Sequence, residues 1–262
     1  MSEEHKQYLK KQRTRKIVIR IIQIGILILI FGIWELSAYL EWADPFITSS
    51  PSRVVKSIAN LYTSGQLFTH LGATLWETVI SFILSTVLGT AIAVILWWSE
   101  TVRRVLEPYL IVLNSLPKVA LGPLIIIWVG AGRSAIVTMA LMICLIITVI
   151  SALTGFMSVD EEKIQLMRSM GANKFQILTK LILPANIPNI LSILKINVGL
   201  SWVGTIMGEY LVSREGIGYL LVYGSQVFKL DLVMASTLML CVLATAMYLV
   251  VALIEKLIGR YY

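Results

Sequence analysis

Charge is what this sequence has least of. Only 14% of its 262 residues are Asp, Glu, Lys or Arg, which is too few for the surface of a soluble globule of that length. Cysteine is scarcer: Cys144 and Cys241 each sit inside an apolar run without partner-like spacing, so neither a disulfide framework nor a metal site is indicated. The two histidines, His5 in the N-terminal tail and His70 at a loop edge, cannot supply the His, Asp and Glu cluster that a membrane enzyme needs. No G-x-x-x-x-G-K-[ST] phosphate loop occurs, and no Gly-Lys pair at all. The chain also lacks internal repeats, low-complexity tracts and any soluble domain. Its formal net charge of +7 comes from cations scattered at the ends of apolar runs, with no basic face or motif for nucleic acid.

What the chain has in abundance is hydrocarbon. At 57% hydrophobic residues and a mean hydropathy of +0.82 it reads as an all-α integral membrane protein. Six spans are predicted, at about 17–40, 72–98, 108–130, 134–157, 189–212 and 232–258, in one transmembrane domain over 1–262. The first has 24 residues, about 36 Å as a helix, enough to cross a hydrocarbon core of about 30 Å. That is too long for a signal-peptide core and no small-residue cleavage site follows, so a retained helix is expected. Between spans one and two, Asp44, Pro45, Ser49, Ser50, Pro51 and Ser52 form a turn cluster ahead of a short amphipathic stretch, Val54 to Tyr62. Ser99–Glu107 and Ser213–Asp231 read as loops. Ser85, Gly89 and Ala93 in the second span, and Gly204 and Gly208 in the fifth, are small residues four apart, the spacing that lets helices approach closely in lipid. Pro117 and Pro123 interrupt the third span, which is therefore expected to lie inside protein.

One interior stretch turns polar. Asp160–Pro188 holds two short amphipathic patterns, with Ile164, Met167 and Met170 in one, and Phe175, Leu178 and Leu181 or Ile182 in the other. Gly171 suits the left-handed residue that closes a helix, Asn173 with Gln176 a capping box, and Pro184 and Pro188 a stop or kink. On spacing alone this is a surface helical hairpin. Counting places it: with six spans, 15 of the 22 Lys and Arg residues fall on the side of the termini and of this stretch, five on the other, and Lys118 and Lys195 within spans. Both termini and the hairpin are thus expected in the cytoplasm. Among the ionisable residues near or within spans, Glu35, Glu77 and Glu209 lie near outer ends where interfacial water is in reach, Lys195 is placed to snorkel, and Trp42, Trp97 and Trp98 read as interfacial anchors. Lys118 is near mid-depth, where a cation either serves an anionic solute or pairs with a neighbour.

The residues then carry a likeness. Gln165-Leu166-Met167, with Gly171 four positions on from Met167, then Leu181 and Leu183-Pro184, resembles the EAA loop of binding-protein-dependent ABC importer permeases, with Gln for Glu, Leu and Met for the two Ala, and Leu for Ile. Leu116 to Leu124 (LPKVALGPL) with Trp128-Val129-Gly130, Met207 to Tyr210 leading to Glu215-Gly216-Ile217-Gly218-Tyr219, and Ser50-Pro51-Ser52 are similar to the nitrate/sulfonate/taurine branch of that family. The likeness runs from Trp34 onward. It implies a type I importer permease of the prokaryotic plasma (inner) membrane, working as a pair of permease subunits with two ATPase subunits and an extracytoplasmic substrate-binding protein. ATP and Mg would then be bound by the partner ATPase, with no catalytic, metal or cofactor site in this chain. It further implies that the 160–188 loop, between spans four and five, couples to the ATPase through Glu162, Ile164, Gln165, Met167, Arg168, Met170, Gly171, Ala172, Leu183 and Pro184, the apolar members exposed to fill a socket. Pro117, Lys118, Pro123, Gly204, Gly208 and Glu209 are the candidate pathway residues. A sulfonate, taurine, nitrate or vitamin precursor would be the solute. An ion-gradient-driven secondary transporter is the alternative, but the inverted repeats and buried coupling carboxylates such a fold needs are not evident in the sequence.

Overall fold

The computed structural model describes residues 3–42 and 44–258. The C-terminal Arg260 counted above, and the side chains of Lys6 and Lys10, lie outside what is described.

Helix follows helix. α1 (Glu3–Tyr39) leads to a turn of helix, α2 (Pro45–Thr48), and to the amphipathic α3 (Pro51–Thr63), whose Ser50 cap accepts the Arg53 N–H. Next come α4 (Leu67–Trp98), α5 (Glu100–Ser115), a 3-10 turn over Lys118–Leu121, and α6 (Gly122–Val129). α7 (Arg133–Met157) is followed by α8 (Glu161–Ser169), α9 (Lys174–Ile177), a π-turn over Leu178–Ile182 and α10 (Leu183–Ala185). α11 (Ile187–Val212), α12 (Ile217–Gln226) and α13 (Leu230–Ile258) complete the described chain. Among the described residues, five helices (Lys11–Tyr39 within α1, then α4, α7, α11 and α13) are long and apolar enough to cross a membrane, and the bent pair of α5 with the 118–129 segment makes a sixth if it is counted as one span.

Small residues decide which helices meet. A Cβ on Gly89 would stand 2.6 Å from Thr148, and one on Gly208 2.9 Å from the Ile136 Cα, so α4 and α11 both lie almost backbone to backbone with α7. Gly204 faces Ala140 in the same way. Half of the most apolar stretch of α7 is buried inside the subunit, and none of that of α1 is: α7 is the axis of the bundle and α1 stands at its edge. The seam is held by hydrogen bonds as well as by contact. Asn197 Nδ2 donates to Thr148 Oγ1 at 2.8 Å and to Thr86 Oγ1 at 3.1 Å, tying α11 to α7 and α4 where no water competes. At the end of the bundle away from the 160–188 hairpin, Asp231 accepts from Ser49 Oγ at 2.7 Å and from Arg53, joining the start of α13 to the α2–α3 corner.

Three readings of the sequence need correcting. The third span is not a single rod over 108–130: α5 begins at Glu100, capped by Ser99, so the supposed 99–107 turn is its first half, and the chain then bends by 90° at Leu116–Pro117 before α6. Proline removes the N–H that would carry the helix onward, and Lys118 Nζ instead donates to the Asn114 carbonyl at 3.0 Å. Nor is α5 interior within one subunit, where no residue of it is buried. Finally, the 213–231 segment is not a plain loop but holds α12, packed between α11 and α13 around Ile217 and Leu220.

Candidate functional site

The polar stretch folds as two short helices closed by their own caps. Asp160 accepts the Glu162 N–H at 3.0 Å, and Glu161 and Glu162 in the first turn with Arg168 in the last complement the α8 dipole. Gly171 ends the helix at φ +82°, its N–H on the Arg168 carbonyl and that of Ala172 on the Met167 carbonyl, at 2.9 and 3.0 Å. Asn173 and Gln176 then form a reciprocal capping box, at 2.8 and 2.9 Å. The π-turn leads into Leu183-Pro184, both half-buried.

What the hairpin shows and what it hides differ from expectation. Ile164 was expected to be exposed, but it is 8% exposed and packs into a core with Leu96, Phe156, Ile177 and Leu178. Met167, Ala172 and Leu183 lie partly buried against the same core. The apolar side chains left in the open are Leu166 at 60%, Met170 at 77% and Phe175 at 61%, beside exposed Glu162, Gln165 and Arg168. One face of the hairpin thus anchors it to the bundle and the other is free. Lys174 adds a staple, donating to the Trp98 carbonyl with its ammonium 5.9 Å and 5.6 Å from the Trp97 and Trp98 ring centroids. Sequence reasoning missed a second anchor. Asn189 Nδ2 reaches the Ser151 carbonyl at 3.2 Å, and Asn186 and Asn189 occupy the space that a side chain on Gly155 would take. The only sequence signal for it is two amides beside Pro188, where the freed backbone needs partners.

The six pathway candidates do not form one cluster. Pro117, Lys118 and Pro123 belong to the bend, whereas Gly204 and Gly208 are occupied in packing on α7. Glu209 does not reach interfacial water: it is 1% exposed, with Oε2 accepting the Gly218 N–H at 2.5 Å. Two neighbours complete a polar socket for the start of α12, His70 Nδ1 accepting from Gly216 N–H at 3.0 Å and Thr74 Oγ1 from Ile217 N–H at 2.7 Å. Gly216, at φ +110°, and Gly218 leave no room for a side chain against Glu209. Glu77 is equally buried, with Arg133 Nε 3.8 Å away and Arg133 also paired with Glu215 at 3.0 Å. Glu35 accepts from Ser52 N and Oγ at 3.0 and 2.6 Å, pinning α1 to α3, and Lys195 pairs with Glu255 at 2.6 Å.

A helical bundle with a capped hairpin anchored at one end has relatives. Residues 85–260 match the family described as binding-protein-dependent transport system inner membrane component. The chain belongs to that family. It is 32% identical to the formylaminopyrimidine transport permease protein of Halalkalibacterium halodurans over 192 residues, 73% of this chain and 76% of that one. It is 25% identical to the taurine transport system permease of Escherichia coli, over 85% of this chain and 83% of the other. A bacterial ABC transporter that imports alginate shares the fold, with TM-score 0.66 at 16% identity over 95% of this chain and 98% of that one. The protein is thus the permease subunit of an ABC importer, a multi-pass protein of the inner membrane, and kinship does not favour an ion-gradient-driven carrier.

Proposed function

We propose that this permease forms the membrane pathway for a small polar solute and is driven by separate ATPase subunits that grip the 160–188 hairpin. The observation that carries the coupling reading is the division of the hairpin into an anchored face, Ile164, Met167 and Ala172, and a free apolar row, Leu166, Met170 and Phe175. Three large apolar side chains exposed on a segment this polar need a protein partner to cover them. The sealed anchor makes the hairpin move with α7 and α11 rather than swing alone, so a pull on the free face is passed to the bundle.

On this reading both termini and the hairpin face the cytoplasm, ATP and Mg sit in the partner, and a binding protein delivers solute to the opposite side. Two copies of the chain line the pathway, each turning α5 and the Pro117–Pro123 bend towards it, since no residue of α5 is buried by its own subunit. The solute class is drawn from what the relatives are named for: formylaminopyrimidine, taurine and aliphatic sulfonates. The test is co-purification. Leu166→Asp with Met170→Glu should abolish capture of the partner ATPase subunit while leaving the permease's melting temperature in detergent unchanged. Capture at the wild-type level would refute the reading.

A further inference from the structure

Two cavities meet beneath the hairpin. The first, of about 490 Å³, lies between α8 and the α4–α5 corner and carries Arg103, Arg168 and Lys174 on its wall, with Trp97, Glu100 and Glu161. The second, of about 570 Å³, runs between α5 and α7 past Leu110, Ile111, Ile150 and Leu153. Arg103 and Met157 line both, so the two adjoin at that point.

Charge and shape favour one kind of occupant. Glu100 is taken by Arg104 at 2.6 Å, whereas neither Arg103 nor Arg168 has an ion-pair partner among the described residues. The first cavity is therefore cationic at its rim, and Trp97 and Trp98 stand beside it as aromatic residues do at the headgroup level. The second carries Glu107, Thr154 and Ser158 on its wall beside Arg103, and is otherwise apolar, at Leu110, Ile111, Ile150, Leu153 and Met157. From Arg103 to Ile111 is eight residues of helix, about 12 Å along its axis, which is most of the roughly 15 Å of hydrocarbon in one leaflet. A cationic rim adjoining a mainly apolar slot of that length complements an anionic headgroup joined to a hydrocarbon tail.

We propose that these adjoining cavities hold an anionic phospholipid of the inner leaflet, with its phosphate on Arg103, Arg168 and Lys174 and one acyl chain along α5 and α7. The placement on the cytoplasmic side rests on the coupling reading above. The lipid would lie along the edge of the hairpin, where the exposed Arg168 borders the cavity.

Native mass spectrometry of the assembled transporter in detergent, with phosphatidylglycerol or phosphatidylcholine added at equal concentration, tests this. Phosphatidylglycerol should be retained preferentially. Arg103→Gln should weaken its retention about fivefold and Arg103→Gln with Arg168→Gln about 25-fold, from the contribution of about one basic residue each at an anionic surface. Arg103→Lys, which keeps the charge, should retain it, and Arg133→Gln at the far end of the bundle should have no effect. Thr154→Trp, which fills the second cavity, should lower lipid retention too. Equal retention of the two lipids, an unchanged affinity in the double variant, or displacement of the lipid by inorganic phosphate at matched concentration would overturn the proposal. The readout is bound lipid and not ATP turnover, so a failure of the coupling reading would leave it measurable and distinct.

Discussion

Replacing Gly171 separates backbone conformation from side-chain contact more cleanly than any other change in the hairpin. Its φ of +82° is left-handed, and a Cβ there would meet nothing within 4 Å. The cost of a substitution is therefore purely conformational. Alanine in this region costs about 1–2 kcal/mol, a valine more, and asparagine less because it visits the left-handed well. For a hairpin that is either closed by its Arg168 and Met167 carbonyl bonds or open, 1–2 kcal/mol is a factor of about 5–30 in that equilibrium. In proteoliposomes containing permease, ATPase and binding protein, the ratio of uptake to ATP hydrolysed should fall in the order Gly, Asn, Ala, Val. The permease should stay folded throughout, since Ile164, Ile177 and Leu178 keep their core. Equal coupling in the Gly and Val forms would refute the reasoning. So would an equal loss in Asn and Val, which would mean that the side chain itself and not φ is rejected.

Three further outcomes follow from the packing. Gly204→Val should destabilise the subunit by about 1–3 kcal/mol through overpacking against Ala140, visible as a lower melting temperature in detergent, whereas Gly199→Ala, with open space around it, should change it by no more than about 0.5 kcal/mol. Asn197→Leu should cost about 0.6–1.7 kcal/mol in the same assay for its interhelical bonds to Thr148 and Thr86. Glu209→Leu should leave the Gly218 N–H orphaned, at about 1–3 kcal/mol and with faster hydrogen exchange at the start of α12, while Glu209→Gln, which keeps an acceptor, should be milder; equal exchange in both variants would contradict the socket.

Much of the hairpin could be read in the chain because its determinants are local. A capping box, a left-handed glycine and a proline stop each act over a few residues, and Asn173, Gln176 and Gly171 sit in the structure as their spacing predicts. The small-residue stripes were legible for a similar reason, since a glycine every fourth position has one use between helices in lipid. Hydropathy alone found the long apolar helices. It did not find the bend at Pro117 or the helix after Gly216. A proline in an apolar run is compatible with a kink or a full break, and the choice depends on what satisfies the freed carbonyls, here the Lys118 ammonium on Asn114.

Which face of a short amphipathic helix is buried is a tertiary decision. The sequence offered one apolar row on α8, Ile164, Met167 and Met170, and only the packing of Ile164 against Phe156 and Ile177 split it, taking Ile164 and Met167 into the bundle and leaving Met170 exposed beside Leu166. The same holds for Glu77 and Glu209. Their positions near the ends of spans suggested water, yet α12 folds back over Glu209 and turns its carboxylate into a cap for backbone N–H groups nine residues along the chain. By itself the sequence determined class, the long apolar helices, and the local stops and caps, because these depend on composition and on neighbours within one turn. Burial, pairing and the free face of the hairpin were decided only in three dimensions, because they depend on which distant helix comes to lie alongside.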